Sequence, residues 1–271
     1  MTDQQAYRIT KLEKIGPDAY VVELVAPAIA ARAQPGHSLI LQVDEAGART
    51  PFSILAANPK EGTVSVPFRV KDRTTYKLAR LAPGRSLVAV AGPVGSPSMV
   101  EDYGGALFVL AGLGAVTAFP LAQRLKETGN AISAILIAGA QGILWEQQWS
   151  RLSGFLRVEP PLSRGGQSLE DAVQTTLQSR SVGMVYARGP SSVLHRVAEV
   201  TRPLGLKTIA GIDRPMLDGV GLCDVCRVPV GGVPKLACLD GPDFDAHEVD
   251  WEVLLQREKG EGILEREEAI R

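Results

Sequence analysis

Hydrophobic positions along this chain keep two rhythms, and the change falls near residue 104. Before it, apolar residues gather in short β-rich runs at 20–25 (YVVELV), 37–43 (HSLILQV), 63–70 (TVSVPFRV) and 86–90 (SLVAV), with PG, NPKEG and APG punctuation between them. That spacing predicts a small antiparallel barrel or sandwich. One helix is expected to interrupt it over 76–84, where YKLARLAPG has helical apolar spacing and stops at Pro-Gly. After residue 104, strands that are apolar throughout alternate with helical stretches: ALFVL (106–110), a helix over 115–127, AISAILIAG (131–139), MVYARGP (184–190), the helix SSVLHRVAEVTRPLG (191–205) and LKTIAGI (206–212). Strand and helix in alternation predict a parallel sheet with right-handed crossovers. Residues 141–164 show no legible period. Beyond 213 there is no room for a separate core, and units of that size usually need a metal or cluster to order them.

The length of 271 residues agrees with two domains and an appendage. The 29 basic and 30 acidic side chains nearly cancel and form no block of one sign, so there is no electrostatic footprint for nucleic acid or anionic lipid. Small molecules and proteins are the expected partners. Residues 103–123 are uncharged and long enough to span a bilayer, yet their glycines and proline favour buried strand, turn and helix, so no membrane insertion is expected. The first residues lack the apolar core of a signal peptide, and three cysteines cannot all pair internally, which points to the cytoplasm.

The cysteines change the picture most. Cys223, Cys226 and Cys238 stand in C-x2-C-x11-C spacing, with a Gly231-Gly232 hairpin between the second and third. Three sulfurs need a fourth ligand. Asp218-x4-Cys223-x2-Cys226 keeps the spacing of plant-type 2Fe-2S proteins with a carboxylate in first place, and Gly219 and Gly221 suit a loop that wraps a cluster. On spacing alone, structural zinc is a close alternative, and Asp218 as a simple turn cap is a weaker one. Two further signals lie upstream. In RTPFSI (49–54), an arginine, an aromatic and a hydroxyl in extended spacing suit a pyrophosphate and a ring, although an edge strand with an exposed arginine reads the same way. Gly112-Leu113-Gly114 follows a strand and opens a helix, a turn that admits a phosphate or serves only tight packing.

The order of these signals resembles the ferredoxin-NADP reductase superfamily, and within it the FAD and 2Fe-2S electron-transfer subunits. Two branches are similar: the electron-transfer subunit of class 1B dihydroorotate dehydrogenase, and the small subunit of NADH-dependent ferredoxin:NADP oxidoreductase of the sulfide dehydrogenase type. MLDGVGLCDVCRV (216–228) and CLDGPDFDAHEVDW (238–251) look most like the second.

The resemblance implies an FAD-binding β-barrel over 1–98, a nicotinamide-nucleotide-binding α/β domain over 99–212, and a 2Fe-2S segment with a tail over 213–271. It implies Arg49 on the FAD pyrophosphate, with Pro51, Phe52 and Ser53 along the isoalloxazine. Thr74 and Thr75 would hold the phosphate side, and Gly92, Pro93 and Gly95 would close over the flavin. Gly112, Gly114, Gly189 and Pro190 would lie beside NAD(H) or NADP(H), and Asp218, Cys223, Cys226 and Cys238 would hold the cluster.

The chain departs from the family pattern at GLGAVT (112–117), Asp72, Gln141, Arg188 and residues 163–168. Arg151, Arg157 and Arg164 are the cations available to a 2′-phosphate. The expected activity is an NAD(P)H-dependent oxidoreductase subunit that passes electrons through FAD and the cluster to or from a larger flavin and iron-sulfur subunit. The alternative is a conduit that no longer binds the nucleotide. Hydride transfer needs no acid or base, in keeping with only three histidines. His37 and His195 read as structural, and His247 has no assigned role.

Overall fold

The computed structural model describes residues 7–139, 141–160 and 168–270, and side chains as far as residue 260. The first half is built from β1 (Ile9–Lys14), β2 (Ala19–Val25), α1 (Pro27–Ala30), β3 (Ser38–Gln42), β4 (Thr50–Ser53), β5 (Ala56–Asn58), β6 (Thr63–Arg69), α2 (Arg73–Leu78) and β7 (Ala89–Val94). Two antiparallel sheets, ordered β1-β2-β6-β5 and β4-β3-β7, close on one core that includes Val22, Leu24, Leu39, Leu41, Val66 and Phe68. In β2 Val22 and Leu24 face the barrel core and are buried, while Ala19 on the other face is buried against Val116 and Leu144.

β1 carries Lys11, Glu13 and Lys14 and occupies a sheet edge, where charge deters further pairing. That charge also hid it from the hydrophobic pattern. α2 begins earlier than expected and ends at Leu78. The Asp72 carboxylate accepts from the Thr75 N–H at 2.8 Å and, with Thr75 answering Asp72, completes a capping box. β7 runs later than the expected 86–90.

The second half contains β8 (Gly105–Ala111), α3 (Gly114–Thr117), α4 (Phe119–Glu127), β9 (Ala131–Ile137), α5 (Glu146–Leu152), β10 (Phe155–Glu159), α6 (Leu169–Ser179), β11 (Met184–Arg188), α7 (Ser191–Thr201) and β12 (Thr208–Gly211). β8 and β11 are buried at every residue because helices cover both faces, which is why they read as continuous apolar runs. The helix expected over 115–127 is divided at Ala118, with Pro120 in the first turn of α4. Within the illegible stretch, Trp149 of α5 is fully buried and its Nε1 donates to the Ala115 carbonyl at 2.7 Å.

The last part adds β13 (Arg227–Val230), β14 (Val233–Leu236), β15 (Asp243–Asp245) and α8 (Trp251–Ile270). β13 and β14 form the expected hairpin, with Gly231 and Gly232 both at positive φ. The sheet order is β10-β9-β8-β11-β12-β15, and only β15 runs antiparallel, against β12. The described residues after 212 do not form a core by themselves. Cys226, Val228, Cys238 and Trp251 join one cluster with Leu107 of the sheet and Ile40 of the barrel. None of the described helices is long and apolar enough to cross a membrane.

Candidate functional site

Of the residues assigned to a flavin, Arg49, Pro51, Phe52, Ser53 and Thr75 line one cavity of about 590 Å³. Thr74, Gly92, Pro93 and Gly95 stand outside its lining. β4 is an edge strand with an exposed Arg49 before it, so the edge-strand reading of RTPFSI holds, and it does not conflict with these residues lining the cavity. Phe52 turns inward and packs edge-on against Phe68 with centroids 6.2 Å apart, which leaves Pro51 and Ser53 on the opposite face of the strand. Arg69 and Lys71 add positive charge to the wall, and Arg69 also pairs with Asp18 at 3.1 Å. Thr75 is only 2% exposed, and its hydroxyl accepts from the Lys71 and Asp72 N–H groups. Its role is therefore to lock the start of α2. The far wall is made by Leu113, Thr117 and residues 212–217, a segment that sequence reasoning had not placed there.

The cysteine loop is drawn together by Asp218. One carboxylate oxygen accepts from the N–H groups of Val220 (2.9 Å) and Gly221 (3.2 Å), the other from Leu222 (3.0 Å) and Cys223 (2.5 Å). The Val220 N–H leads the causes that hold this carboxyl below the usual range. Cys226 and Cys238 are buried and adjoin, with the Cys238 N–H 3.5 Å from the Cys226 Sγ. Burial first, then the neighbouring Cys226, pushes the Cys238 thiol up to about 12. None of the three is in a disulfide. Among the described residues no three Cys, His, Asp or Glu side chains converge as a metal shell.

The donor set nevertheless fits an iron-sulfur cluster. It comprises three free thiols, a carboxylate and a ring of inward N–H groups on one loop, with two glycines at φ +70° and +80°. Gly221 lies at φ +80°, where a side chain would be strained, and a Cβ there would also have to displace Leu239 Cδ1 at 2.5 Å. Were Asp218 to serve as a cluster ligand, it would give up part of its N–H cradle, a cost that binding would offset because metal binding and folding are coupled.

The barrel and the cysteine loop meet at a junction made largely of backbone. Gly95 N–H donates to the Cys238 carbonyl at 2.8 Å, Ser96 N–H to Gly241 O at 2.6 Å, and Ser96 Oγ to Leu239 O at 2.8 Å. Gly95 lies at φ +83°, and a Cβ on it would stand 2.7 Å from Gly241 O. On the loop's other flank a Cβ at Gly219 would fall 2.7 Å from Ile40 Cδ1 of β3. The Gly92–Gly95 turn thus belongs to the loop rather than to the lining of the cavity.

The third group of residues marks the point where the sheet order reverses, between β8 and β11. Gly112 and Gly114 follow β8, and Gly189 and Pro190 follow β11, so all four sit at the C-terminal strand ends where open α/β sheets bind ligands. Gly114 is required by packing, since a Cβ would lie 2.4 Å from the Arg188 carbonyl. Side chains close this crevice: Glu258 of α8 accepts from Ser191 Oγ at 2.6 Å and stands 3.6 Å from Arg214. Arg157 is engaged by Glu159 on β10. Arg164 and residues 163–167 fall outside the described residues.

The histidines hold structure. His37 Nδ1 accepts from Gln34 N–H, His195 stacks on Trp251, and His247 bonds Thr201.

Residues 213–250 match the family model described as the iron-sulfur cluster binding domain of dihydroorotate dehydrogenase B. The chain is 33% identical to the dihydroorotate dehydrogenase B (NAD(+)) electron transfer subunit homolog of Thermotoga maritima, covering 92% of this chain and 89% of that one. The electron transfer subunit of Shouchella clausii is 28% identical over 89% and 96% of the two chains. A solved structure of an NADH-dependent reduced ferredoxin-NADP oxidoreductase, reported for flavin-based electron bifurcation, superposes with a TM-score of 0.85 at 31% identity, covering 95% and 94%. A cytochrome P450 reductase from Amycolatopsis, with a TM-score of 0.56 at 16% identity over 72% and 64%, shares the fold alone. The chain therefore belongs to the family of dihydroorotate dehydrogenase B electron-transfer subunits and their homologues.

Proposed function

We propose that this chain is the FAD and 2Fe-2S electron-transfer subunit of a heteromeric oxidoreductase, and that NAD(P)H exchanges electrons with its flavin. FAD handles a pair of electrons and a 2Fe-2S cluster handles one at a time. The protein's own work is to bind and hold these groups. In this reading Arg49, with Lys71, faces the pyrophosphate, Pro51, Phe52 and Ser53 form the ring wall, and Thr74 and Thr75 shape the phosphate end. Gly92, Pro93 and Gly95 bring the flavin side against the cluster loop, where Asp218, Cys223, Cys226 and Cys238 are the ligands. Gly112, Gly114, Gly189 and Pro190 leave backbone open to the nicotinamide nucleotide. The units are 1–98, 99–212 and 213–271.

The observation that carries this reading is the junction. The turn assigned to the flavin and the segment that holds Cys238 share hydrogen bonds, so no further domain need stand between the two cofactors. Around the loop Leu217, Val220, Leu222 and Leu239 are 49%, 60%, 85% and 48% exposed, an apolar face suited to the larger flavin and iron-sulfur subunit. Free cysteines suit a reducing compartment, and we place the protein in the cytoplasm.

A second reading is favoured by Arg188, Ser191 and Glu258, whose contacts fill the crevice: a conduit that keeps FAD and the cluster and no longer takes the nucleotide. One experiment separates the two. An anaerobic visible spectrum is recorded with iron and zinc quantified, then repeated after NADH and after NADPH. Flavin and iron-sulfur bands bleached by either nucleotide support the first reading, unchanged bands the second, and a colourless zinc protein neither.

A further inference from the structure

The inner wall of the 590 Å³ cavity is backed by a buried cation. Arg188 ends β11 and is only 2% exposed. One terminal nitrogen donates to Ser53 Oγ at 2.9 Å and to Asp213 Oδ1 at 2.5 Å, and the other to the Tyr186 hydroxyl at 3.3 Å. Tyr186 donates to Asp243 Oδ1 at 2.8 Å, and Ser98 Oγ donates to Asp243 Oδ2 at 2.5 Å. Gly211 leaves room for this brace, because a Cβ there would lie 2.6 Å from the Tyr186 hydroxyl. Barrel, parallel sheet and C-terminal segment are tied together behind the cavity.

A guanidinium carries donors and no acceptor, so in the Arg188–Ser53 pair the hydroxyl oxygen must accept. Among the described residues Ser53 Oγ has no other hydrogen-bond partner. Its single hydrogen is left for the cavity that Ser53 lines. Asp213 lines the same cavity with its side chain 66% exposed, and Arg188 balances its charge from behind.

We propose that Arg188 is a positioning residue that fixes the Ser53 hydroxyl as a donor into the cavity, holds a permanent positive charge behind Asp213, and so raises the reduction potential of a flavin ring bound there. The inference rests on the FAD reading above. A fixed donor and a cation at the ring edge favour the ring after it has gained electrons, as preorganised dipoles favour developing negative charge elsewhere. Without the guanidinium, the Ser53 hydroxyl is free to turn and Asp213 faces the ring unbalanced. Both changes disfavour reduction.

The test is a spectroelectrochemical titration of the flavin in the full-length, FAD-loaded protein. R188M keeps the length and removes the donor and charge. It should weaken the reduction equilibrium at least tenfold, which is about 30 mV for a two-electron couple. R188K, which keeps the charge, should recover most of that shift. S53A should lower the potential less than R188M, and S53A/R188M should fall short of the sum, since both act through one hydroxyl. Should R188M fail to fold, S53A against S53T reads the donor alone, with S53T close to wild type and S53A lower. A potential unmoved by R188M, full additivity with S53A, or equal potentials for S53A and S53T would overturn the inference while leaving the flavin reading intact. A wild-type protein that binds no flavin would overturn that reading and the inference with it.

Discussion

The regions on the two sides of the cavity are held by different means. Toward the cysteine loop, the contact is mainly main chain to main chain: Gly95 to Cys238, Ser96 to Gly241, with glycines where any side chain would collide. Toward the crevice between β8 and β11, closure is by side chains: Arg188 on Ser53 and Asp213, and Glu258 on Ser191. A backbone joint has few alternative arrangements, whereas side chains swing between rotamers at modest cost. On the function proposed above, the difference would suit a fixed route for electrons on one side and an adjustable entry for the nucleotide on the other.

The most damaging way to probe the fixed side is to remove a thiol. Cys226→Ser and Cys238→Ser should lose essentially all cluster iron while the flavin band remains, because the junction bonds use the Cys238 carbonyl and not its sulfur. Loss of flavin together with iron would show that the cluster holds the joint. Asp218→Ala should lose iron more readily than Asp218→Cys, which restores a fourth thiolate. Equal, full iron content in both would remove Asp218 from the ligand set and leave it as the loop cap that its four N–H bonds describe.

Next in size is Gly95→Val. Strain at φ +83° and a Cβ placed 2.7 Å from Gly241 O should together cost about 2–5 kcal/mol. At about 2–4 °C per kcal/mol, thermal unfolding should move down by roughly 4–20 °C. On the crevice side Glu258→Gln should shift it by no more than about 4 °C, since a partly exposed contact of this kind is worth about 1 kcal/mol or less. Equal shifts would dissolve the distinction between the two sides.

This asymmetry also explains what was legible in the sequence. The loop could be read because cluster chemistry imposes spacing: Asp218, Cys223, Cys226 and the glycines stand where a wrapped backbone needs them. The β8 and β11 turns were legible because glycine stands where backbone crowds backbone, as at Gly114 against the Arg188 carbonyl. Closure by Arg188, Asp213 and Glu258 was not, because partners 25, 67 and 135 residues apart meet only in the fold. Arg188 was visible only as a departure from the family pattern. β1 and β5 were lost for a different cause, one a charged edge and the other three residues long at the opposite edge. α6 did leave a signal, the Ser168–Asp171 capping box ahead of Leu169, Ala172, Val173 and Thr176 on one face.

The smallest effect tests whether side-chain closure carries a pH dependence that the backbone joint lacks. Glu170 of α6 binds Arg196 of α7 through both oxygens, at 2.5 and 2.6 Å, and the hydrogen bond from Arg196 leads the causes that hold its carboxyl at about 2. A carboxyl depressed in the folded state adds stability that is fully present above its unfolded value of 4.5 and is lost as pH falls from there toward 2. Both side chains are about a third exposed, so the pair is worth roughly 1 kcal/mol or less after screening. Urea midpoints for wild type and Glu170→Gln should differ by that amount at pH 7 and converge between pH 4.5 and 2. A difference that persisted unchanged at pH 3 would mean that Glu170 acts through packing, and the helix behind the crevice would then be held as rigidly as the junction with the cluster loop.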